Sequence, residues 1–328
     1  MRMPSRPLLL AGLGVAVIVL AALSLSAGRV WVPFSAWFSG ADDPQWIILF
    51  DLRLPRTILG IAVGVALGLS GAALQGYARN PLADPGVLGV SSMAALGAVM
   101  TLYLGAAMTL PWLLPVGAMI GALIGIALLL LLSGATSSIL SFVLAGMILN
   151  TVSSAGVALA LNLSPSPWAV SEIINWLMGS LADRSIDDVR LALPFIAVGC
   201  ALLLTIGRAL DALTLGDAGA RSLGVNLQRT RLLLAVGVGL AAGASVAVTG
   251  IIGFVGLITP HLMRPLVGAR PGALLVPSAL AGAATVLAAD IVVRITPAGT
   301  ELKLGVAMAA LGAPFFLMLL ISLRRKTV

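Results

Sequence analysis

The stretch TILGIAVGVALGLSGAALQGYA, residues 57–78, holds no charged side chain. It is long enough to cross a lipid bilayer as one helix, which needs about 20 predominantly apolar residues. Gly60, Gly64 and Gly68 recur in it at four-residue spacing, so they share one helix face. Small residues on one face allow two helix backbones to approach closely. The stretch therefore predicts a tightly packed transmembrane helix, and we assign its glycines to packing rather than to chemistry.

Similar apolar runs fill the rest of the chain. Hydrophobic residues make up 60% of the 328 residues and charged residues only 9%, whereas a soluble domain is about a quarter charged. The composition predicts an all-α polytopic membrane protein, with ten transmembrane helices in one domain over residues 1–328. The predicted spans are 8–27, 57–78, 87–106, 112–132, 138–161, 191–207, 232–250, 251–267, 272–291 and 304–323. The first is longer than the usual core of a signal peptide, so we expect an uncleaved helix.

The distribution of charge predicts how the spans are oriented. With the N-terminus in the cytoplasm, the inner segments carry twelve Lys and Arg against three acidic residues, and the outer segments carry seven against nine. An excess of Lys and Arg marks the cytoplasmic side, so we expect both termini there. The net charge of +7 then reflects orientation, and we expect no nucleic-acid partner. The stretch DLRLPR, Asp51–Arg56, faces outward against this trend.

The spans lack the residues that several functions need. Their central parts carry no Asp, Glu, Lys or Arg, which argues against a proton-coupled carrier, although sodium sites built from carbonyls and hydroxyls stay open. The chain has one histidine, His261, and one cysteine, Cys200, so we expect no metal site and no catalytic residue. Neither lysine follows a glycine, which excludes a P-loop. If ATP drives transport, another subunit binds it.

The longest polar stretch on the predicted inner face is LTLGDAGARSLGVNLQRTR, residues 213–231. Its pattern predicts a short amphipathic helix. Three apolar residues share one face of this helix: Leu215, Ala218 and Leu223. Asp217 and Arg221 have the i, i+4 spacing of a helical ion pair, and Gly224 is expected to end the helix. A solvated connector is the alternative.

Two further stretches contain prolines near predicted span ends. They are QGYARNPLADPGVLG, residues 75–89, and VTGIIGFVGLITPHLMRPLVG, residues 248–268. Proline breaks or starts a helix, so these four positions predict helix ends and bends: Pro81, Pro85, Pro260 and Pro265. Irregular backbone at this depth is tolerated where protein buries it or where it lines a cavity.

An ordered series of motifs then resembles one known family. The motifs are LRLPR, SGAALQGYARNPLADPGVLGVSS, LAGMILN, LGDAGARSLGV, TGIIGFVGLITPHLMR, LAGAATVLAADIVVR and LGVAMAALGAPFFLMLL. From about Leu52 to the C-terminus, the chain closely resembles the membrane permease of ABC importers for iron-siderophores, haem and cobalamin, the FecCD family. One departure is Lys303, which stands where the family more often has proline, so loop detail there is not transferred.

The resemblance implies a type II ABC importer permease with ten helices per subunit, in a bacterial plasma (inner) membrane. Two permease subunits, expected to be copies of this chain, would surround a central pathway. Two ATP-binding cassette ATPase subunits would lie inside and bind ATP and Mg, so this chain needs no cofactor. A substrate-binding protein would deliver the substrate from outside.

The resemblance also implies site residues. Residues 213–226 would form the coupling segment that rests in a groove of the ATPase, with these contacts: Leu215, Gly216, Asp217, Ala218, Arg221, Ser222, Leu223 and Gly224. Arg53, Arg56 and Arg294 would pair with acidic residues of the binding protein. The alternatives are headgroup anchoring for the first two and an i, i+4 pair with Asp290 for the third. His261 is expected to be structural.

The transport pathway and the substrate are less defined by the sequence. Met147, Asn150 and Asn162 in the fifth span are candidates for pathway lining, and ordinary packing is the alternative. An iron-chelate substrate is expected, with haem or cobalamin as the alternative. An ATP-independent secondary transporter and a membrane scaffold are the rival readings from other classes.

Overall fold

The computed structural model describes residues 5–28, 30–40, 42–134, 138–164, 166–296 and 302–324, and its regular structure in these ranges is helical. The α-helices are α1 (Arg6–Ser26), α2 (Pro44–Ile47), α3 (Leu54–Ala78), α4 (Val90–Tyr103), α5 (Ala106–Thr109), α6 (Leu113–Ser133), α7 (Ile139–Asn162), α8 (Pro167–Leu177), α9 (Ile186–Thr205), α10 (Gly207–Leu213), α11 (Gly216–Ser222), α12 (Leu227–Thr249), α13 (Val255–Val267), α14 (Pro271–Ile295) and α15 (Leu304–Arg324).

Each predicted span contains one of these helices, which confirms the all-helical class. Within the described ranges, seven helical segments are long and apolar enough to cross a membrane. Helices α4 and α13 are shorter. The 13 residues of α13 extend only about 20 Å at 1.5 Å per residue, less than the roughly 30 Å hydrocarbon core. The number of ten transmembrane helices therefore stays a prediction.

Helical structure before α3 begins earlier than the sequence predicted. Asp43 accepts a hydrogen bond from the Gln45 backbone at 2.8 Å and so caps α2, and a π-helical turn, Ile48–Arg53, joins α2 to α3. The stretch DLRLPR, which is predicted to face outward, is thus helical and not a loop. Pro55 lies in the first turn of α3, where its missing N–H costs little.

The central helix pair is α3 with α14, and glycines set its close approach. A Cβ at Gly64 would stand 2.5 Å from the Gly282 carbonyl oxygen, and one at Gly68 would stand 2.2 Å from the Ser278 carbonyl oxygen. Between α6 and α4, a Cβ at Gly121 would stand 2.2 Å from the Met93 carbonyl oxygen. The prediction that these spaced glycines serve helix packing is confirmed.

Pro260 and Pro265 lie inside α13 and do not end it, so the prediction of helix ends at these two positions is wrong. A helix proline leaves the carbonyl four residues earlier without its N–H donor. For Pro260 that carbonyl belongs to Gly256, and the Gln75 side-chain amide of α3 donates to it at 3.3 Å. A side chain from a neighbouring helix thus replaces the lost backbone bond.

A turn around Gly250 lies between α12 and α13. Gly250 has φ +69°, and the preceding carbonyl, of Thr249, accepts from the Ser180 backbone at 2.7 Å. An additional helix, α8, lies where no element was predicted. Ser166 caps it, Ile173 is buried and Trp168 is exposed, which is the pattern of an amphipathic helix at a membrane surface.

Candidate functional site

The N-terminal end of α3 meets the C-terminal ends of α1 and α14, and three arginines converge there. They are Arg53, Arg56 and Arg294, and each is only 7–8% exposed. We call these three residues the arginine cluster. A buried guanidinium is stable only when it is paired and hydrogen-bonded, so its partners determine what it contributes.

Arg56 and Arg294 share the carboxylate of Asp290, which is 1% exposed. Arg56 donates from Nε and Nη2 to Asp290 Oδ1 at 3.0 and 2.7 Å. Arg294 Nη2 lies 2.8 Å from Asp290 Oδ2, so the i, i+4 pair considered for Arg294 is present. Arg294 also donates to the backbone and hydroxyl oxygens of Ser24 in α1. The shared carboxylate therefore ties α1, α3 and α14 together.

Arg53 closes the C-terminal end of α1. Its guanidinium donates to the carbonyl oxygens of Leu25 at 3.0 Å, Ser26 at 2.6 Å and Val30. The last carbonyls of a helix lack intrahelical donors, and a cation at that end also suits the helix dipole. A Cβ at Gly28 would stand 2.7 Å from Arg53 Nη2, so glycine is needed for this approach.

A cavity of about 290 Å³ lies beside the arginine cluster. Its charged lining residues are Arg53, Arg56, Asp183, Arg184 and Arg294. The sequence did not single out Arg184, which belongs to the loop between α8 and α9 and joins the cluster only through the fold. The cavity brings together all three arginines that were expected to pair with a binding protein, and Arg184 lies beside them.

At the other end of α3 lies the predicted coupling segment, residues 213–226, which contains α11. Leu215 and Leu223 are 68% and 63% exposed, and Ala218 is exposed as well. The helix ends at Gly224, whose φ is +80°, and the Gly224 N–H donates to the Arg221 carbonyl at 2.9 Å. The predicted short helix and its terminating glycine are confirmed, while the shared apolar face stays a prediction.

The predicted pairing of Asp217 with Arg221 is wrong. Asp217 instead accepts a hydrogen bond from Arg79 Nη2 at 3.0 Å, and both side chains are about 40% exposed. Arg79 is the residue after α3 and has φ +50°, a left-handed conformation that is uncommon for residues other than glycine. This contact attaches α11 to the end of α3.

A second contact attaches α10 to α14. Asp211 Oδ1 accepts a hydrogen bond from the Gly272 backbone at 2.8 Å, and Asp211 Oδ2 accepts one from Arg270 at 3.1 Å. Gly272 lies in the first turn of α14, where a carboxylate satisfies unpaired N–H groups and suits the helix dipole. The segment containing α10 and α11 is therefore fastened to both members of the central helix pair.

The loop between α3 and α4 is shaped by its own polar side chains. Asn80 Oδ1 accepts from the Leu82 backbone at 2.9 Å, and Asp84 Oδ1 accepts from the Gly86 backbone at 2.9 Å. Burial raises the pKa of Asp84, and the bond from Gly86 opposes that rise. The Asp84 carboxylate accepts from a backbone amide of its own loop, which indicates that Asp84 shapes this turn.

The three pathway candidates lie apart along α7. Met147 is 51% exposed and Asn162 is exposed, whereas Asn150 accepts a hydrogen bond from the Ser92 hydroxyl of α4 at 2.5 Å. Asn150 thus takes part in packing between helices. His261 packs edge-on against Phe315 of α15 with ring centroids 5.7 Å apart.

Along nearly its whole length the chain is similar to known permeases. The model of the FecCD transport family matches residues 16–322. The vitamin B12 import system permease BtuC of Klebsiella pneumoniae is 37% identical, over 96% of this chain and 94% of that protein. The hemin transport system permease HmuU of Yersinia pestis is 36% identical, over 97% of both chains. A solved structure described as an inward-facing conformation of a metal-chelate type ABC transporter has a TM-score of 0.87 at 33% identity, covering 96% of this chain and 99% of its own.

Proposed function

The chain belongs to the FecCD transport family, and from this premise we propose that it imports an iron-chelate substrate with energy from a partner ATPase. It is an integral membrane protein and the permease subunit of an ABC importer. Such importers work with ATPase and binding-protein partners. The observation that carries the energy coupling is the pair of exposed leucines that flank α11, on a segment fastened to α3 and α14.

Residues 213–226 would dock on the ATPase as the coupling segment. Leu215 and Leu223 would fill an apolar groove, since large exposed apolar side chains at a polar surface mark interaction sites. Asp217, Arg221 and the small residues between them would set the register of the contact. The ATPase would bind ATP and Mg, and its motion would move α11 together with the ends of α3 and α14.

The assembly would contain two copies of this chain and two ATPase subunits, with both termini in the cytoplasm of a bacterial cell and the chain in its plasma (inner) membrane. Exposed apolar side chains on α7 support a second permease subunit, because they are available for a partner helix or for lipid. The exposed residues on this helix include Leu144, Met147, Ile148 and Val152. Met147 and Asn162 would line the pathway near that interface.

The face that carries the arginine cluster would receive the binding protein. Arg53, Arg56 and Arg294 line the cavity there, and carboxylates on the partner would complement their charge. Charged residues at the edge of a protein–protein interface speed the encounter of the two proteins and set their relative position more than they add affinity. Because the cluster is buried, reversing its charge also disturbs the fold, so a docking test needs a separate stability measurement.

The substrate class is proposed from relatives. The solved relative is described as a metal-chelate type transporter, which supports an iron-siderophore, while the named relatives import vitamin B12 and hemin. Thermal-shift titration of the partner binding protein with ferric siderophores, haem and cobalamin would identify the ligand. Stabilisation by haem or cobalamin alone would overturn the siderophore proposal.

Reconstitution tests the energy source. The chain is placed in liposomes with and without its ATPase, and uptake of the identified substrate is measured with the binding protein outside. Uptake that requires both the ATPase and ATP is expected. Uptake by the chain alone would establish a secondary transporter and contradict an ATP-driven importer.

A further inference from the structure

Among the residues that the structure describes, the lining of the cavity beside the arginine cluster carries more positive than negative charge. Arg53 donates its hydrogen bonds to carbonyl oxygens at the end of α1, whose partial negative charge is smaller than that of a carboxylate. Arg56 and Arg294 both pair with the carboxylate of Asp290. The fourth arginine, Arg184, adds a further charge, and Asp183 is the acidic residue that lines the cavity in the described part of the chain. An anionic group is therefore favoured there.

Arg184 differs from the other three arginines in its hydrogen bonds. No group among the residues that the structure describes accepts a bond from it, and its Nε is shielded from solvent without a partner. A shielded donor that makes no bond is costly. Arg184 thus presents a guanidinium that is already partly desolvated and lacks an acceptor.

The loop that holds Arg184 is fixed by its neighbours. The Ser180 backbone donates to the Thr249 carbonyl at 2.7 Å, and the Gly179 carbonyl accepts from the Gly305 backbone at 3.1 Å. Leu181 is fully buried, and directly after Arg184 a capping box between Ser185 and Asp188 starts α9. A side chain on such a rigid loop needs little reordering to bind, which favours affinity.

We propose that Arg184 is the specificity-determining arginine of this face, and that it binds an aspartate or glutamate carboxylate of the substrate-binding protein. The arginine cluster then acts as a fixed positive surround whose own hydrogen bonds are used within the chain. Arginine suits this role because its planar guanidinium binds a carboxylate through two parallel hydrogen bonds. The proposal rests on the proposed docking of a binding protein at this face.

The first test measures docking of two matched variants. The probe is the purified binding protein that stimulates ATP hydrolysis by the reconstituted importer, and its Kd is measured against nanodiscs at two salt concentrations. Arg184→Glu should weaken binding by about tenfold or more and reduce its salt dependence. Arg190→Glu alters an exposed pair with Asp187 six positions further on, outside the cavity lining, and should change Kd less than about twofold.

The conservative variant and a stability measurement separate contact from folding. Arg184→Lys keeps the charge but not the two parallel bonds, so it should bind with intermediate affinity. Unfolding temperatures of all three variants should match that of the parent chain. Equal Kd values for the parent and Arg184→Glu would overturn the role of Arg184 while leaving docking intact. Absence of binding by the parent chain would overturn the proposed docking itself, and this inference with it.

A labelling experiment tests the same contact without substitutions. Phenylglyoxal, which modifies accessible guanidinium groups, should modify Arg184 and Arg190 in the free protein and the buried cluster far more slowly. Bound binding protein should protect Arg184 and not Arg190, as read by mass spectrometry. Equal modification of Arg184 with and without the binding protein, or no modification in the free protein, would overturn the proposal.

Discussion

Asp290 decides the electrostatics of the arginine cluster at the scale of single residues. Its carboxylate is buried and accepts from guanidiniums that come from α3 and α14. In an apolar surround an ion pair roughly offsets the cost of desolvating its members, while removing one member leaves the others uncompensated. The cluster is consequently far more sensitive to loss of the Asp290 carboxylate than a count of its bonds suggests.

Asp290→Ala is therefore expected to lower the free energy of unfolding by about 3–5 kcal/mol, measured by thermal unfolding in detergent or nanodiscs. The matched control is Asp187→Ala, which removes the carboxylate of an exposed pair with Arg190 and should cost less than about 1 kcal/mol. Similar losses in the two variants would show that the buried network does not stabilise the fold.

At the scale of helices, stability depends on backbones in direct contact. Gly71 of α3 faces α13, and a Cβ there would stand 1.9 Å from the Gly256 carbonyl oxygen. That carbonyl is the one that Pro260 leaves without its helical donor and that Gln75 satisfies. The contact cannot widen without loss of the Gln75 bond, so packing and hydrogen bonding at this crossing depend on each other.

Gly71→Ala should accordingly destabilise the protein by about 1–3 kcal/mol, as overpacking of a tight contact does. Gly12→Ala in α1 is the matched control, because a Cβ at Gly12 would meet nothing within 4 Å, and its effect should be neutral or slightly stabilising. The measurement is the unfolding midpoint in nanodiscs. An unchanged midpoint for Gly71→Ala would mean that α3 and α13 can separate freely.

The ion pair between Arg79 and Asp217 belongs to the same scale, since it attaches one helix to another. Arg79→Glu should leave the unfolding midpoint nearly unchanged, because exposed pairs contribute about 0–1 kcal/mol. It should reduce stimulation of ATP hydrolysis by the binding protein about fivefold, the lower end of typical coupling energies. Asparagine also tolerates positive φ, so Arg79→Asn tests loss of the pair without added strain.

Stimulation that is unaltered in Arg79→Glu would contradict a role for this attachment in coupling. A reduced stimulation in Arg79→Glu together with a milder reduction in Arg79→Asn would fit charge repulsion against Asp217. A collapse of basal hydrolysis in both variants would instead indicate a misplaced segment around α11, and the proposed coupling through this pair would fail.

Local patterns predicted local structure and missed the partners that the fold supplies. Gly224 acts within its own turn, and the four-residue glycine spacing marks one face of its own helix whichever helix packs on it; both predictions were confirmed. The partner of Asp217 was missed because Arg79 is 138 positions away. Pro260 was misread because Gln75, which compensates for it, lies on another helix. Arg184 gave no signal at all, since its significance depends on the cavity that α3 and α14 form with its loop.

At the scale of the whole molecule, the central helix pair joins the two candidate sites. The N-terminal end of α3 and the C-terminal end of α14 form the arginine cluster. At the other end, Arg79 beyond α3 holds Asp217 of the coupling segment, and Gly272 in α14 holds Asp211 of α10, just before that segment. The 25 residues of α3 extend about 37 Å, enough to cross the hydrocarbon core. Glycines hold α3 against α14 along this length, so the pair would move as one unit.

This arrangement requires that the arginine cluster and the coupling segment lie on opposite sides of the membrane. The test uses a Cys200→Ala background, which removes the single native cysteine, buried in α9. Asp187→Cys reports the side of the arginine cluster, and Arg229→Cys reports the side of α11. Both positions are exposed.

A membrane-impermeant maleimide should label Asp187→Cys in right-side-out vesicles and Arg229→Cys only in inside-out vesicles, because the excess of Lys and Arg around α11 marks the cytoplasmic side. The Cys200→Ala parent should stay unlabelled in both. Labelling of both variants from the same side would show that the bilayer does not lie between the two sites. Transmission of motion between them through α3 and α14 would then have no basis. Labelling in the reverse sense would keep the two sites apart but turn the arginine cluster toward the cytoplasm, where no extracytoplasmic binding protein can reach it.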